Sequence, residues 1–198
     1  MQREGPSGRG ETEMKRIAII GSGGSGKTTL ARQLGATLGI PVHHLDHWYW
    51  KAGWIATSRD EWVATHEGLC RAPTWILDGN YGGTMETRFR AADTVIFLDV
   101  PTWRCLWGAF RRYRQYRGHV RPELPDRCPE RLTGEYLRWI CGYRMRRRPR
   151  ILRMLEEIKL DKNVVILPSH KALGTFLAGV GADPTNRPLQ LVVQTEAE

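Results

Sequence analysis

From residue 14 onward, short apolar runs alternate with stretches in which apolar residues return at helical spacing. Arg16–Ile20 predicts a first strand and Lys27–Leu38 a helix, stopped by Gly39 with Pro41 just beyond. Val42–Leu45 predicts a second strand, ending at Asp46. Ser58-Arg59-Asp60-Glu61 has the form of a capping box, in which the two side chains satisfy backbone N–H groups at a helix start, and it opens a helix to about Arg71. Trp75–Leu77 predicts the third strand, ending at Asp78-Gly79, Thr94–Leu98 the fourth, ending at Asp99, and Val164–Leu167 the fifth. Pro101-Thr102 begins a further helix. Pro149 has no N–H to leave unsatisfied in a first turn, and so suits another over about Arg150–Lys159. This alternation predicts an α/β three-layer sandwich around a five-stranded parallel sheet.

The pattern fills residues 14–181 as one domain. Residues 1–13 are polar and read as a disordered extension, with Met14 the expected start of the fold, and 182–198 read as a tail in which Leu189–Val193 could add an edge strand. No apolar run is long enough to span a membrane, and the first residues lack the apolar centre of a secretory signal. Cys70, Cys105, Cys128 and Cys141 are too widely spaced for a thiol motif, so free thiols and a cytoplasmic location are expected.

Between the first strand and its helix, residues 21–28 read Gly-Ser-Gly-Gly-Ser-Gly-Lys-Thr, a complete G-x-x-x-x-G-K-[ST] phosphate-binding loop in the strand–loop–helix context it needs. The loop's backbone N–H groups and the helix start make an anion-binding concavity. Gly21, Ser22, Gly23, Gly24, Ser25, Gly26, Lys27, Thr28 and Thr29 are therefore expected to bind ATP. Lys27 would reach the β- and γ-phosphates, and Thr28 would ligate Mg²⁺. The strand-ending Asp46, Asp78 and Asp99 lie at the edge of the sheet where ligands bind. Each could be a helix cap or turn residue; together they are candidate Mg²⁺ ligands and proton acceptors.

The net charge of +9 is concentrated. Residues 103–150 hold fourteen Arg, no Lys and four acids, and the remainder of the chain is close to neutral. Arginine suits forked contacts to phosphate oxygens; a solvated helical face is the alternative. Tyr113, Tyr116, Trp139 and Tyr143 interleave with it, so nucleic acid is a candidate partner. His47-Trp48-Tyr49-Trp50 and Trp54 could stack on a ligand or simply cover the sheet. His43, His44 and His47 do not share one face of a strand, which argues against a metal cluster.

With Gly21–Thr28, the segments His44-Leu45-Asp46, Asp78-Gly79-Asn80-Tyr81, Phe97-Leu98-Asp99-Val100-Pro101 and Cys128-Pro129-Glu130 resemble the small P-loop kinases of the adenylate kinase-like group. Within it they look most like the bacterial DNA topology modulation proteins, over residues 14–178. The resemblance implies a P-loop NTPase fold with an Arg-rich helical lid over about 103–150. It implies Asp78 as the first-choice carboxylate beside Mg²⁺ and Asp99 as the second, and lid arginines that close over the transferring phosphoryl. One of Arg111, Arg112, Arg114, Arg117 and Arg121 before Cys128 and one of Arg144, Arg146, Arg147 and Arg148 after it are the candidates, with Arg112, Arg117 and Arg144 put forward. Pro168-Ser169-His170-Lys171 falls where the family packs its adenine. Asn80, Tyr81 and Gly82 stand where the family has Phe, Pro and an acceptor-gripping Arg, and the next arginine is Arg88. Two functions follow: transfer of the γ-phosphoryl of ATP·Mg to a small acceptor, nucleotide-like or hydroxyl-bearing with Asp46 as base, or a nucleic-acid-associated ATPase or nucleotide-dependent regulator.

Overall fold

A computed structural model of the chain describes residues 14–182. The expected extension over 1–13 and the segment Leu189–Val193 lie outside the described residues; of the expected tail only Ala182 is described, and it closes the last helix. Strand β1 (Arg16–Gly21) passes through the glycine-rich loop into α1 (Lys27–Leu38), which stops at Gly39 in a left-handed conformation (φ 67°). β2 (Val42–His44) leads into a short helix, α2 (Leu45–Tyr49), and a small hairpin of β3 (Trp50–Lys51) and β4 (Ile55–Ala56). α3 (Arg59–Cys70) begins at Ser58, whose hydroxyl accepts the Glu61 N–H at 3.4 Å. Then come β5 (Trp75–Asp78), α4 (Met85–Ala91), β6 (Thr94–Leu98) and α5 (Thr102–Tyr116). After α6 (Gly134–Arg146) and α7 (Arg148–Ile158) come β7 (Asn163–Leu167) and α8 (His170–Ala182).

Five strands form one parallel sheet in the order β2-β5-β1-β6-β7. β1 sits at its centre and is covered on both faces, which explains why Ile17-Ala18-Ile19-Ile20 is continuously apolar. Ile17 and Ile19 pack with Leu30 and Leu34 of α1, Cys105 and Ala109 of α5, and Phe176 and Val180 of α8. Ala18 and Ile20 face the other layer, with Trp62 of α3, Phe89 of α4 and Ile151 and Leu155 of α7. The three-layer α/β sandwich is the one the alternation predicts.

Two boundaries differ. Leu45, expected to end the second strand, instead starts α2, so Asp46 lies in a helical first turn rather than at a strand end. α7 begins at Arg148, which places Pro149 in its first turn. Helix α4 is seven residues long, too short for its period to show in the sequence.

Buried polar groups fix the loop after β5. Arg88 is fully buried; its Nη2 donates to the carbonyls of Gly79 at 2.9 Å and Asn80 at 2.8 Å. Its Nη1 lies 3.1 Å from Nε2 of the buried His66. Burial, with the Arg88 charge adding to it, pushes His66 down from 6.5 to about 4. His66 is therefore neutral at pH 7 and Nε2 accepts from Arg88. The unfolded chain takes up this proton before the native one does, so the His66 contribution makes stability fall as pH drops from about 6.5 to about 4, by on the order of 3 kcal/mol. Urea unfolding across that window should show the loss, and His66→Gln should flatten it.

Candidate active site

The glycine-rich loop owes its shape to a close approach. Gly24 has φ 75°, and a Cβ there would collide with the Cys105 carbonyl of α5. A Cβ on Gly108, one turn along α5, would collide with the Gly24 carbonyl. Helix and loop thus touch through two glycines. Gly108→Ala is expected to push α5 off the loop at a cost of about 1–3 kcal/mol, seen as a lower melting temperature with weaker ATP binding.

Inside the loop, Lys27 Nζ donates to the Ser22 carbonyl at 2.9 Å. Burial pushes its ammonium below the ordinary range, Asp78 and Asp46 pull it back, and Arg112 adds to the lowering. Among the described residues, the Ser25 hydroxyl is buried without a hydrogen-bond partner. The Thr28 hydroxyl donates to Asp78 Oδ2 at 2.9 Å, and His44 Nδ1 lies 3.1 Å from the same oxygen. Burial works against the Asp78 charge, but the His44 hydrogen bond and the Lys27 charge outweigh it and hold the carboxyl below its ordinary value. Asp78 is an anion at pH 7, and Thr28 and Asp78 are a hard oxygen pair of the kind Mg²⁺ takes. Asn80 braces the loop's entrance: its Nδ2 donates to the Gly21 carbonyl at 2.7 Å and its Oδ1 accepts from Gly21 N–H at 3.3 Å and from the Tyr143 hydroxyl at 3.2 Å.

Beside the loop opens a cleft of about 430 Å³, within the size range of small-molecule sites. Lys27, Thr28, Asp46, Asp78, Arg112 and Arg121 all line it. Tyr81 donates its hydroxyl to Asp46 Oδ1 at 2.6 Å. Burial and the Asp46 charge raise the Tyr81 phenol far above its ordinary value, so it stays a donor. Tyr81 itself has φ 37°, a left-handed backbone unusual for a tyrosine, stabilised by ring contacts to Tyr49 and Trp62 at 4.7 and 4.8 Å between centroids. One oxygen of Asp46 is thus fixed while its side chain remains 47% exposed.

Residues 117–133, between α5 and α6, roof the cleft. Trp54 Nε1 donates to the Pro129 carbonyl at 3.2 Å, Gly53 N–H to the Arg127 carbonyl at 3.1 Å, and Arg32 of α1 reaches Glu123 at 3.1 Å. Glu130, almost fully buried, joins two arginines: Arg112 Nε at 2.9 Å and Arg121 Nε at 2.5 Å. Arg112 Nη2 also donates to the Tyr136 hydroxyl at 3.2 Å, and Arg121 Nη2 lies 3.8 Å from Asp46 Oδ2. A Cβ on Gly23 would collide with that Tyr136 hydroxyl, so α6 also reaches the phosphate-binding loop.

Not every expected residue joins this group. Asp99 is held bidentately by Arg148 at 2.7–2.9 Å, with Arg144 at 3.7 Å, and does not line the cleft. Arg144 is therefore occupied with Asp99, and Arg117 caps the end of α5 with its side chain exposed. Of the three arginines singled out, the structure brings only Arg112 to the cleft. His44 meets Asp78, whereas His43 contacts Trp48; no group of three metal-ligating side chains occurs among the described residues. Trp50 and Trp54 line the cleft, and Tyr49 packs beneath it against Trp62. His170 Nε2 lies 3.3 Å from the Ser25 carbonyl, so the segment after β7 does reach the loop. The sequence grouped Arg121 with the other lid arginines and gave Glu123, Glu130 and Asn80 no role in the site. A signal for the glutamates existed: acids are scarce among the arginines, and Glu123 and Glu130 are both buried.

No protein-family model and no curated protein matches the chain. Among solved structures, shikimate kinase from Acinetobacter baumannii in complex with shikimate superposes with a TM-score of 0.53 at 19% identity, over 86% of this chain and 92% of that one. Deoxyadenosine kinase from M. mycoides, with products dCMP and a flexible dCDP bound, gives a TM-score of 0.45 at 16% identity, over 84% and 98%. Shikimate kinase from Aquifex aeolicus gives 0.45 at 16%, over 87% and 99%. The neighbours are small P-loop kinases, and the likeness to the first of them shows the fold.

Proposed function

We propose that the protein is a phosphotransferase that moves the γ-phosphoryl of ATP·Mg to a hydroxyl on a small molecule. The observation that carries this reading is the convergence, in one cleft, of Lys27, Thr28 and Asp78 with Asp46, whose Oδ1 is held by Tyr81 and whose Oδ2 lies 3.8 Å from Arg121. Lys27 and the loop N–H groups bind the β- and γ-phosphates. Thr28 and Asp78 would hold Mg²⁺, which when bound neutralises phosphate charge. The acceptor oxygen forms a bond to the γ-phosphorus as the β–γ bridge breaks, leaving its electron pair on ADP, and the acceptor proton passes to Asp46 Oδ2. Tyr81 keeps the carboxylate aimed, Arg112 stabilises the charge that spreads over the transferring oxygens, and the 117–133 roof excludes water.

A hydroxyl acceptor is favoured over a nucleoside monophosphate because Arg88 is buried against backbone carbonyls and cannot grip an acceptor phosphate. The motif resemblance to DNA topology modulation proteins leaves the regulator reading as the alternative. Against it, several arginines of the basic segment turn inward: Arg112 and Arg121 to Glu130, Arg148 to Asp99.

Label from γ-labelled ATP should move to a member of a panel of nucleosides, sugar acids and other polyols, and the transfer should vanish in Lys27→Ala. Release of free phosphate alone, or release stimulated by duplex DNA, would reject the kinase reading.

A further inference from the structure

A second hollow, of about 300 Å³, lies between α6, α7 and the loop before α4. Arg138 and Arg146 of α6, Arg147 at the junction and Arg150 of α7 line it, and among the described residues no carboxylate does. The side chains of Arg138, Arg146 and Arg150 make no ion pair or hydrogen bond among the described residues, and Arg147 only lies over the Trp139 ring at 5.8 Å. This contrasts with Arg112 and Arg121 of the active-site cleft, which share Glu130, and with Arg148, which meets Asp99.

The helix period explains the arrangement. Positions 138, 142 and 146 fall on one stripe of α6, and Gly142, having no side chain, leaves the space that Arg138 and Arg146 flank. Met85, Trp139 and Ile151 supply an apolar wall. Like charges so placed repel one another, and the potential they raise favours an anion. An arginine fork matches the oxygens of a phosphate, and the wall suits a ring or other apolar body. A concave space of this volume with an apolar wall fits one compact molecule better than a nucleic-acid strand, whose binding surfaces run as continuous grooves.

We propose that this hollow is a second ligand site, taking a small phosphate ester whose phosphate is held by Arg138, Arg146 and Arg150 and whose body lies on Trp139, Met85 and Ile151. The site stands whether or not the P-loop cleft is a kinase centre. Phenyl phosphate is the probe, titrated calorimetrically into wild-type protein and into Lys27→Ala, in which the P-loop is disabled. Saturable binding of one molecule is expected in both, weakened at least about tenfold by the double variant Arg146→Gln/Arg150→Gln, which removes two forked contacts. Circular dichroism checks that the double variant is folded; should it not be, Arg138→Gln alone carries the same expectation. Absence of saturable binding to wild-type, loss of binding in Lys27→Ala, or binding indifferent to these arginines overturns the proposal. So does arginine-dependent binding of a single-stranded oligonucleotide without binding of phenyl phosphate, which would make the stripe a nucleic-acid surface.

Discussion

Arg112→Ala is expected to lower the rate of phosphoryl transfer by about 10³-fold or more, the range of an arginine that meets charge only in the transition state. Arg112 comes from the C-terminal third of α5, and its Nε and Nη2 are held by Glu130 and Tyr136. Its remaining donors are free to turn to the cleft, and its charge is felt at Lys27. Holding a guanidinium in place before the reaction is what makes it effective, because nothing reorganises as charge develops. ATP affinity should change far less than the single-turnover rate. Arg112→Lys keeps the charge but not the fork, and should recover only part of the loss. Arg117→Ala is the control: its side chain is exposed beyond the end of α5, and activity should be unaffected. Equal losses in the two variants would show that the segment contributes charge alone.

Asp46→Asn is expected to lower kcat by about 10²–10⁴-fold with little effect on KM, the usual contribution of a general base. Asparagine keeps a carbonyl oxygen for the Tyr81 hydroxyl, so the local packing survives while the proton acceptor is lost. The measurement also separates acceptor classes. A phosphate acceptor has no proton to give up, and Asp46→Asn would then leave kcat nearly intact.

These residues were not equally legible in the sequence. The P-loop was, because its chemistry is written in eight consecutive positions between a strand and a helix. The sheet was, because strands covered on both faces are uninterrupted apolar runs, as Trp75–Leu77 and Thr94–Leu98 are. Asp46 was singled out, but not the Tyr81 hydroxyl that orients it, since that contact spans 35 positions and depends on a tyrosine in a left-handed conformation. The arginines could not be sorted. Arg117 and Arg121 are four positions apart in an irregular segment with no period to tell which side faces in, yet one is exposed and the other buried. Arg121 is drawn inward by Glu130, and Asp99 is drawn from the cleft by Arg148, 49 positions away. Such pairings are long-range choices among many like residues, and composition gives only their number.

The most direct test of the central claim incubates the protein and ATP carrying heavy oxygen in its γ-phosphoryl with a small-molecule extract from which nucleic acid has been removed, followed by mass spectrometry. A single class of hydroxyl-bearing metabolite should gain the heavy phosphoryl, and should fail to do so with Asp46→Asn or Arg112→Ala. Heavy oxygen found only in inorganic phosphate, at the same rate in wild-type and both variants, would contradict the account.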